Sequence, residues 1–230
     1  DDRLRGGYLG VDLFFVLSGF LITALLLRER EASGRIDLAA FWVRRARRLL
    51  PAVIALLPAV AVYARIFCDS HEQARVRGDA LATLGYVANW RSIFAERSYW
   101  EMFAAPSPLE HTWSLAIEEQ FYLVWPLLVW ALLGRVGRRG VLLASLGLAL
   151  VSMAAMALLA GASASRAYLG TDTRGAAILL GAALACVLAP RLGGAGLAPR
   201  RALDALALAS LLGLLGAWAT IEGESRLLYR

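Results

Sequence analysis

No lysine occurs in the 230 residues; all 24 basic residues are arginines. The formal net charge of +6 lies beside long apolar runs rather than in a polar basic domain. That distribution argues against nucleic acid, because arginine flanking apolar spans is the signature of cytoplasmic loops of membrane proteins. Cysteine is almost as scarce. Cys68 and Cys186 fit no metal or redox spacing, and Cys186 sits inside an apolar run, so both read as packing residues without a disulfide. Strand-type alternation and repeats of solenoid length are also missing. Charged residues make up only 18% and hydrophobic residues 59%. An ordinary soluble domain is about 45–50% apolar, so this composition excludes one and points to a membrane protein.

What is present is a series of apolar runs. A membrane-crossing helix needs roughly 20 residues to span about 30 Å of hydrocarbon. Six segments qualify: Gly10–Leu27, Leu49–Phe67, Glu118–Leu133, Val141–Leu159, Thr173–Ala189 and Ala202–Thr220. Lipid offers no partner to a free backbone group, so helices are the default. The sequence therefore predicts an all-α polytopic transmembrane bundle, with 1–230 as one membrane-embedded domain. With no initial methionine and no signal-peptide pattern, the chain is expected to be a piece of a larger protein.

Charge orders the topology. Arg28–Arg48 carries seven arginines against three acids and is expected to be cytoplasmic. A seventh apolar run, Asp79–Phe94, would place "GRVGRRG" outside if it spanned. Read as interfacial or re-entrant, it leaves that loop inside. This topology puts Arg44–Arg48 at the inner face. Asp12, His111, Glu118, Glu119, Asp172 and Arg174 then fall near the outer face.

The stretch "HTWSLAIEEQFYLVWPLL" sets two carboxylates against an apolar run. If Ser114 capped the helix, both acids would occupy its opening turns, where the dipole favours them by about 0.3–1 kcal/mol. Isoleucine at 117 misses the capping-box spacing. Adjacent residues point about 100° apart, so one glutamate can face water while the other faces the bundle. A carboxylate within a span is a functional candidate by default, suited to general acid or base work. His111 lies seven residues before Glu118 and either joins it across a tight turn or serves as an interfacial residue. Asp12 is either a helix-start acid or the group that orients a histidine. Gly19 and Ser18 follow it and would let another helix approach closely.

In "RRARRLLPA", Arg44 and Arg48 share a helical face and Arg45 reaches Arg48 at i+3. Such forks bind phosphate, and they also simply anchor a span. Asp172 and Arg174 stand two apart at a span entrance and would not face each other on a helix. Trp90, Trp100, Trp113, Tyr122, Trp125, Trp130 and Tyr168 are expected to form, for the most part, an aromatic belt.

"GVDLFFVLSGFLIT", "FWVRRARRLLPA", "HTWSLAIEEQFYLVWPLL" and "YLGTDTRGAAILLGAALA" resemble, in order, the motifs of the integral-membrane acyltransferase-3 family. Its members include bacterial O-acetyltransferases of cell-envelope glycans. The resemblance implies a multi-pass protein of the inner (plasma) membrane. It also implies acyl-coenzyme A, acetyl above all, as donor substrate with no bound cofactor or metal, and a hydroxyl of an extracytoplasmic glycan or lipid-linked sugar as acceptor. Arg45 and Arg48 match the RxxR motif linked to donor handling, with Arg44 beside them. Glu118 and Glu119 match the paired-glutamate motif, and Asp12, His111 and Arg174 match other recurring positions. Family members carry a basic residue upstream of a histidine in their first helix. Neither His71 nor His111 has one eleven positions upstream, where Val60 and Trp100 stand. The resemblance thus implies that this helix precedes Asp1. The expected mechanism divides the work between donor phosphates on arginines inside and proton transfer on carboxylates outside. The rival classes are a transporter or flippase, which predicts inverted repeats with broken mid-membrane helices, and a non-catalytic scaffold.

Overall fold

The computed structural model describes residues 9–94 and 107–194, together with Leu208. Regular structure among the described residues is entirely helical: α1 (Leu9–Ser33), α2 (Leu38–Phe67), α3 (Ser70–Leu84), α4 (Ala88–Phe94), α5 (Thr112–Arg135), α6 (Gly137–Ala160), α7 (Ala164–Leu169) and α8 (Thr171–Gly194). Five of them, α1, α2, α5, α6 and α8, are long and apolar enough to cross a membrane. They coincide with five of the six expected spans and make this an all-α polytopic membrane protein. The sixth, Ala202–Thr220, lies outside the described residues, as does Trp100 of the expected aromatic belt. Asp79–Phe94 is no continuous helix. It comprises the end of α3, a turn at 85–87 and α4, and neither helix meets the length and hydropathy of a span.

The helices begin earlier than the apolar runs do, α2 and α5 by the most. Asp37 caps α2, its Oδ1 accepting from the Ala40 amide at 2.9 Å, so the arginine segment is helical and continuous with the span. α5 opens at Thr112, and Ser114 lies inside it rather than capping it. Both helices run on through their internal prolines, Pro51 and Pro58 in α2 and Pro126 in α5.

The chain divides into two compact units. One comprises Asp1–Ile36, Leu128–Ala167 and Asp172–Arg230. In it α1 turns Leu13, Leu17, Leu21 and Leu25 outward, as lipid-facing residues should, and buries Phe15, Ser18 and Thr23. Its neighbour is α8. A Cβ added to Gly19 would lie 1.8 Å from the Ile178 carbonyl oxygen, and one added to Gly181 would lie 2.0 Å from that of Val16. Only a bare Cα permits such an approach, and the contact is reciprocal. Ala24 packs on Ala185 further along, so the helices run side by side in the same direction. On the other side of α8, Ser152 of α6 donates to the Thr173 carbonyl and accepts from the Ala176 amide, both at 2.9 Å.

The second unit comprises Asp37–Leu127 and Tyr168–Thr171. Past Cys68 the chain turns back into α3 through a capping box between Asp69 and Glu72. Val60 and Ala64 of α2 pack on Val76 and Leu109. Small residues, Ala82, Ala88 and Ala116, bring α3, α4 and α5 together. The turn between α3 and α4 is a Schellman motif: the Tyr86 amide donates to the Thr83 carbonyl at 3.1 Å and the Val87 amide to that of Ala82 at 2.8 Å. Its left-handed position is held by Tyr86, at φ +53°, while Gly85 one residue earlier has φ −82°. A non-glycine residue there costs roughly 1–2 kcal/mol.

Candidate functional site

The α2–α5 contact carries the most chemistry in the second unit. Trp42 and Arg45 stand one turn apart on α2, as do Glu119 and Tyr122 on α5. The two pairs meet in antiparallel register. Trp42 Nε1 donates to the Tyr122 carbonyl at 3.0 Å. Arg45 donates through Nε at 2.8 Å and lies through Nη2 at 2.7 Å from the same Glu119 oxygen, Oε1. The guanidinium carbon sits 3.3 Å from the Tyr122 ring centroid, a stacked cation–π contact. The Tyr122 hydroxyl in turn donates to Glu118 Oε1 at 3.1 Å. Side-chain exposures of 16% for Arg45 and 10% for Glu119 mark a pair largely removed from solvent.

This geometry corrects the division of charge expected from the sequence, which set Arg44–Arg48 at the inner face and Glu118–Glu119 near the outer one. Arg45 and Glu119 lie at one level. Each is two turns inside its helix. From Glu119 the apolar course of α5 runs about 24 Å further to Arg135. Opposite charges placed among apolar helices are less costly together than apart. The pair thus occupies a shared position rather than guarding opposite surfaces. Neither glutamate points freely to water: Glu118 is 2% exposed and bonded to Tyr122, and Glu119 is bonded to Arg45.

The arginines differ from one another. Arg44, Arg47 and Arg48 are exposed. Arg47 and Arg48 take part in no hydrogen bond or ion pair among the described residues. His111 is exposed in the turn before α5. The rise of α5 separates its backbone from that of buried Glu118 by about 10 Å, so the expected junction of these two does not form.

Next to Glu119 on α5, Gln120 opens a partly buried polar network. Gln120 donates to the Tyr86 carbonyl at 2.7 Å and to Asn89 Oδ1 at 3.0 Å, and accepts from the Thr171 hydroxyl at 2.6 Å. Asn89, fully buried, donates to the Leu169 carbonyl at 3.0 Å and to Thr171 Oγ1 at 2.9 Å. Every polar atom of the Gln120 and Asn89 side chains is thereby engaged, as burial requires. The network fixes the 85–87 turn against α5.

In the other unit Arg174 donates through Nη1 to Asp12 Oδ1 at 2.8 Å. Arg174 is buried. Asp12 therefore holds a guanidinium, where the sequence also allowed an imidazole. Asp172, two residues before Arg174, pairs instead with Arg166 through two bonds of 2.7 Å. That hydrogen bonding, more than the nearby charge, raises the Arg166 pKa against a smaller opposing effect of burial.

Tyr122, Trp42, Tyr86, Gln120 and Asn89 escaped the sequence reading. Tyr122 was expected in an aromatic belt, yet it is 3% exposed and stacked under Arg45. The usable signal was the matched spacing, Trp42 with Arg45 and Glu119 with Tyr122.

Fold and site define a polytopic helical membrane protein whose apolar helices carry guanidinium–carboxylate pairs. A family model described as an acyltransferase domain matches residues 3–223, and the chain belongs to that family, acyltransferase-3. It is 47% identical over 186 residues to the peptidoglycan O-acetyltransferase OatA of Listeria monocytogenes, covering 80% of this chain and 30% of that protein. It is 44% identical over 186 residues to YrhL of Bacillus subtilis, provisionally given the same activity, covering 80% and 29%. The chain thus spans about 30% of the length of these relatives. No solved structure matches it.

Proposed function

We propose that the protein carrying this chain is an O-acyltransferase of the plasma membrane. It moves an acetyl group from cytoplasmic acetyl-coenzyme A to a hydroxyl of a cell-envelope glycan, and the relative named for peptidoglycan makes that polymer the first acceptor to test. The observation that carries the reading is the arginine group of α2. One guanidinium, Arg45, is fixed by Glu119 and Tyr122. Beside it Arg47 and Arg48 are exposed and take part in no hydrogen bond or ion pair among the described residues, on the same two helical turns. Coenzyme A carries several phosphates, and guanidinium forks bind phosphate with charge-assisted hydrogen bonds.

In this reading the acceptor oxygen attacks the thioester carbonyl, the new carbon–oxygen bond forms and the carbon–sulfur bond breaks. The hydroxyl proton leaves through a carboxylate and ends on the departing thiolate. Glu119 is the better candidate for that carboxylate. Its Oε1 is held by Arg45, whereas Oε2 is outside any hydrogen bond among the described residues. Glu118 is more deeply buried and supports Tyr122. The histidine implied by the family resemblance would share the proton transfer. Asp12, His111 and Arg174 are assigned no chemical step.

The test is acetyl transfer by the full protein in membrane vesicles. Glu119→Gln should lower kcat at least about a hundredfold, the usual contribution of a general base. Arg48→Ala should raise the donor KM about tenfold, the loss of one charge-assisted contact. Normal turnover and normal donor KM in both variants would remove the proposal. Acceptor-dependent release of free coenzyme A distinguishes transfer from transport or a scaffold role.

A further inference from the structure

We propose that Tyr86 is a positioning residue of the Arg45–Glu119 site, its hydroxyl taking hold of Glu119 when Arg45 turns to an anionic ligand. The inference rests on the reading of the α2 arginines as the donor grip.

The first ground is the backbone. Tyr86 is the sole non-glycine residue at positive φ among the described residues. The position it fills in the turn is the one that glycine normally fills, and a glycine stands immediately before it in an ordinary conformation. An exchange of these two residues would relieve the strain, yet the chain keeps the aromatic ring there. Strain that is kept where it could be removed points to a use for the side chain.

The second ground is the register. Gln120 bonds the Tyr86 carbonyl at 2.7 Å, and Gln120 is the next residue to Glu119 on α5. The buried network of Gln120, Asn89 and Thr171 therefore pins the Tyr86 backbone beside the level of the ion pair. The phenol lies within electrostatic reach of both partners. Burial raises its pKa, the Glu119 carboxylate adds to the rise and the Arg45 guanidinium opposes it. A phenol is protonated at neutral pH in any case, so the hydroxyl is able to donate.

The third ground is the count of bonds. The Tyr86 hydroxyl and Glu119 Oε2 each lie outside any hydrogen bond among the described residues. In the state seen here Arg45 satisfies Glu119. An anion that captures Arg45 would leave a largely buried carboxylate short of a donor, which is costly. Tyr86 is a neutral donor held within electrostatic reach and not otherwise engaged.

The experiment is a coupling cycle on the full protein in membrane vesicles, with acetyl-coenzyme A as the varied substrate. Tyr86→Phe is expected to raise the donor KM about tenfold, with kcat changed less than threefold. In a Glu119→Gln background, where the amide no longer needs a donor, the same change should alter the donor KM less than twofold. Tyr86→Gly should raise the thermal midpoint of the detergent-solubilised protein while reproducing the KM loss. An unchanged KM in Tyr86→Phe, or an equal rise in both backgrounds, would overturn the proposal. So would a Tyr86→Gly variant that unfolds at lower temperature, since it would assign the ring to the fold. If Arg45→Ala and Arg48→Ala also left the donor KM unchanged, the donor reading itself would fail. If they raised it while Tyr86→Phe did not, only the role of Tyr86 would fall.

Discussion

Two helix pairs, α1–α8 in one unit and α2–α5 in the other, each set one arginine against one carboxylate at 2.7–2.8 Å. The contacts around these ion pairs differ. Along α1–α8 the backbones touch: Gly19 faces the Ile178 carbonyl, Gly181 faces that of Val16, and Ala24 meets Ala185. Nothing but the two helices fits there. Along α2–α5 the contact is made by large side chains, Trp42, Arg45, Glu119 and Tyr122, and further arginines stand exposed alongside. The first pair is a clamp, in which the charges lock two helices. The second is the proposed site, in which the same two charges would have to be exchangeable. An ion pair within a span is therefore not diagnostic of function by itself; the room around it decides.

The comparison breaks most severely at the glycine contact. In Gly19→Val the new side chain would meet the Ile178 backbone, which cannot swing away as a side-chain tip can. The expected loss is about 3 kcal/mol or more, since overpacking at a helix contact has no cheap relief. Yield and thermal midpoint in detergent measure it, and near-normal values would show that α1 and α8 are less closely joined than the Gly19–Ile178 contact requires. Tyr122→Trp on the other pair should be milder, because that contact is made mostly through side chains, which can shift.

Next come the charges. Removing one partner of a buried pair costs about 3–5 kcal/mol, whereas replacing both by apolar residues is often neutral. Asp12 is 31% exposed, so its half of the clamp should fall at or below the lower end of that range. The double variants sharpen the contrast. Asp12→Leu with Arg174→Met should fold and retain acetyl transfer within about threefold. Arg45→Met with Glu119→Leu should fold as well and lose transfer about a hundredfold. Equal activity in the two double variants would erase the distinction between clamp and site.

The five described spans could be read from the sequence, because runs near 20 apolar residues have few alternatives in lipid. Their true starts could not. Four arginines before an apolar run look like a border, and only the Asp37 cap makes them the first turns of α2. Glu118 and Glu119 were legible as candidates because carboxylates among apolar residues are conspicuous. Their partners were not: Arg45 lies 74 positions from Glu119, and no local pattern pairs them. Gly19 announced a close approach without naming α8. Asn89 looked like one polar residue in an ambiguous apolar run, and its network emerges only when α4 and α5 meet the Leu169–Thr171 segment.

The smallest effect is expected at the most regular ion pair of all. Arg166 and Asp172 make two parallel bonds of 2.7 Å, better geometry than either membrane pair. Yet their side chains are 22% and 47% exposed, so water competes for both charges. Exposed pairs contribute roughly 0–1 kcal/mol. Arg166→Gln should therefore shift the thermal midpoint by no more than about 2 °C, taking the larger-domain scale of 2–4 °C per kcal/mol and half a kilocalorie lost. It should leave acetyl transfer unchanged. A loss comparable to that of Arg174→Ala would mean that bond geometry outweighs burial in ranking these pairs, and the separation of clamp, site and surface bridge would have to be redrawn.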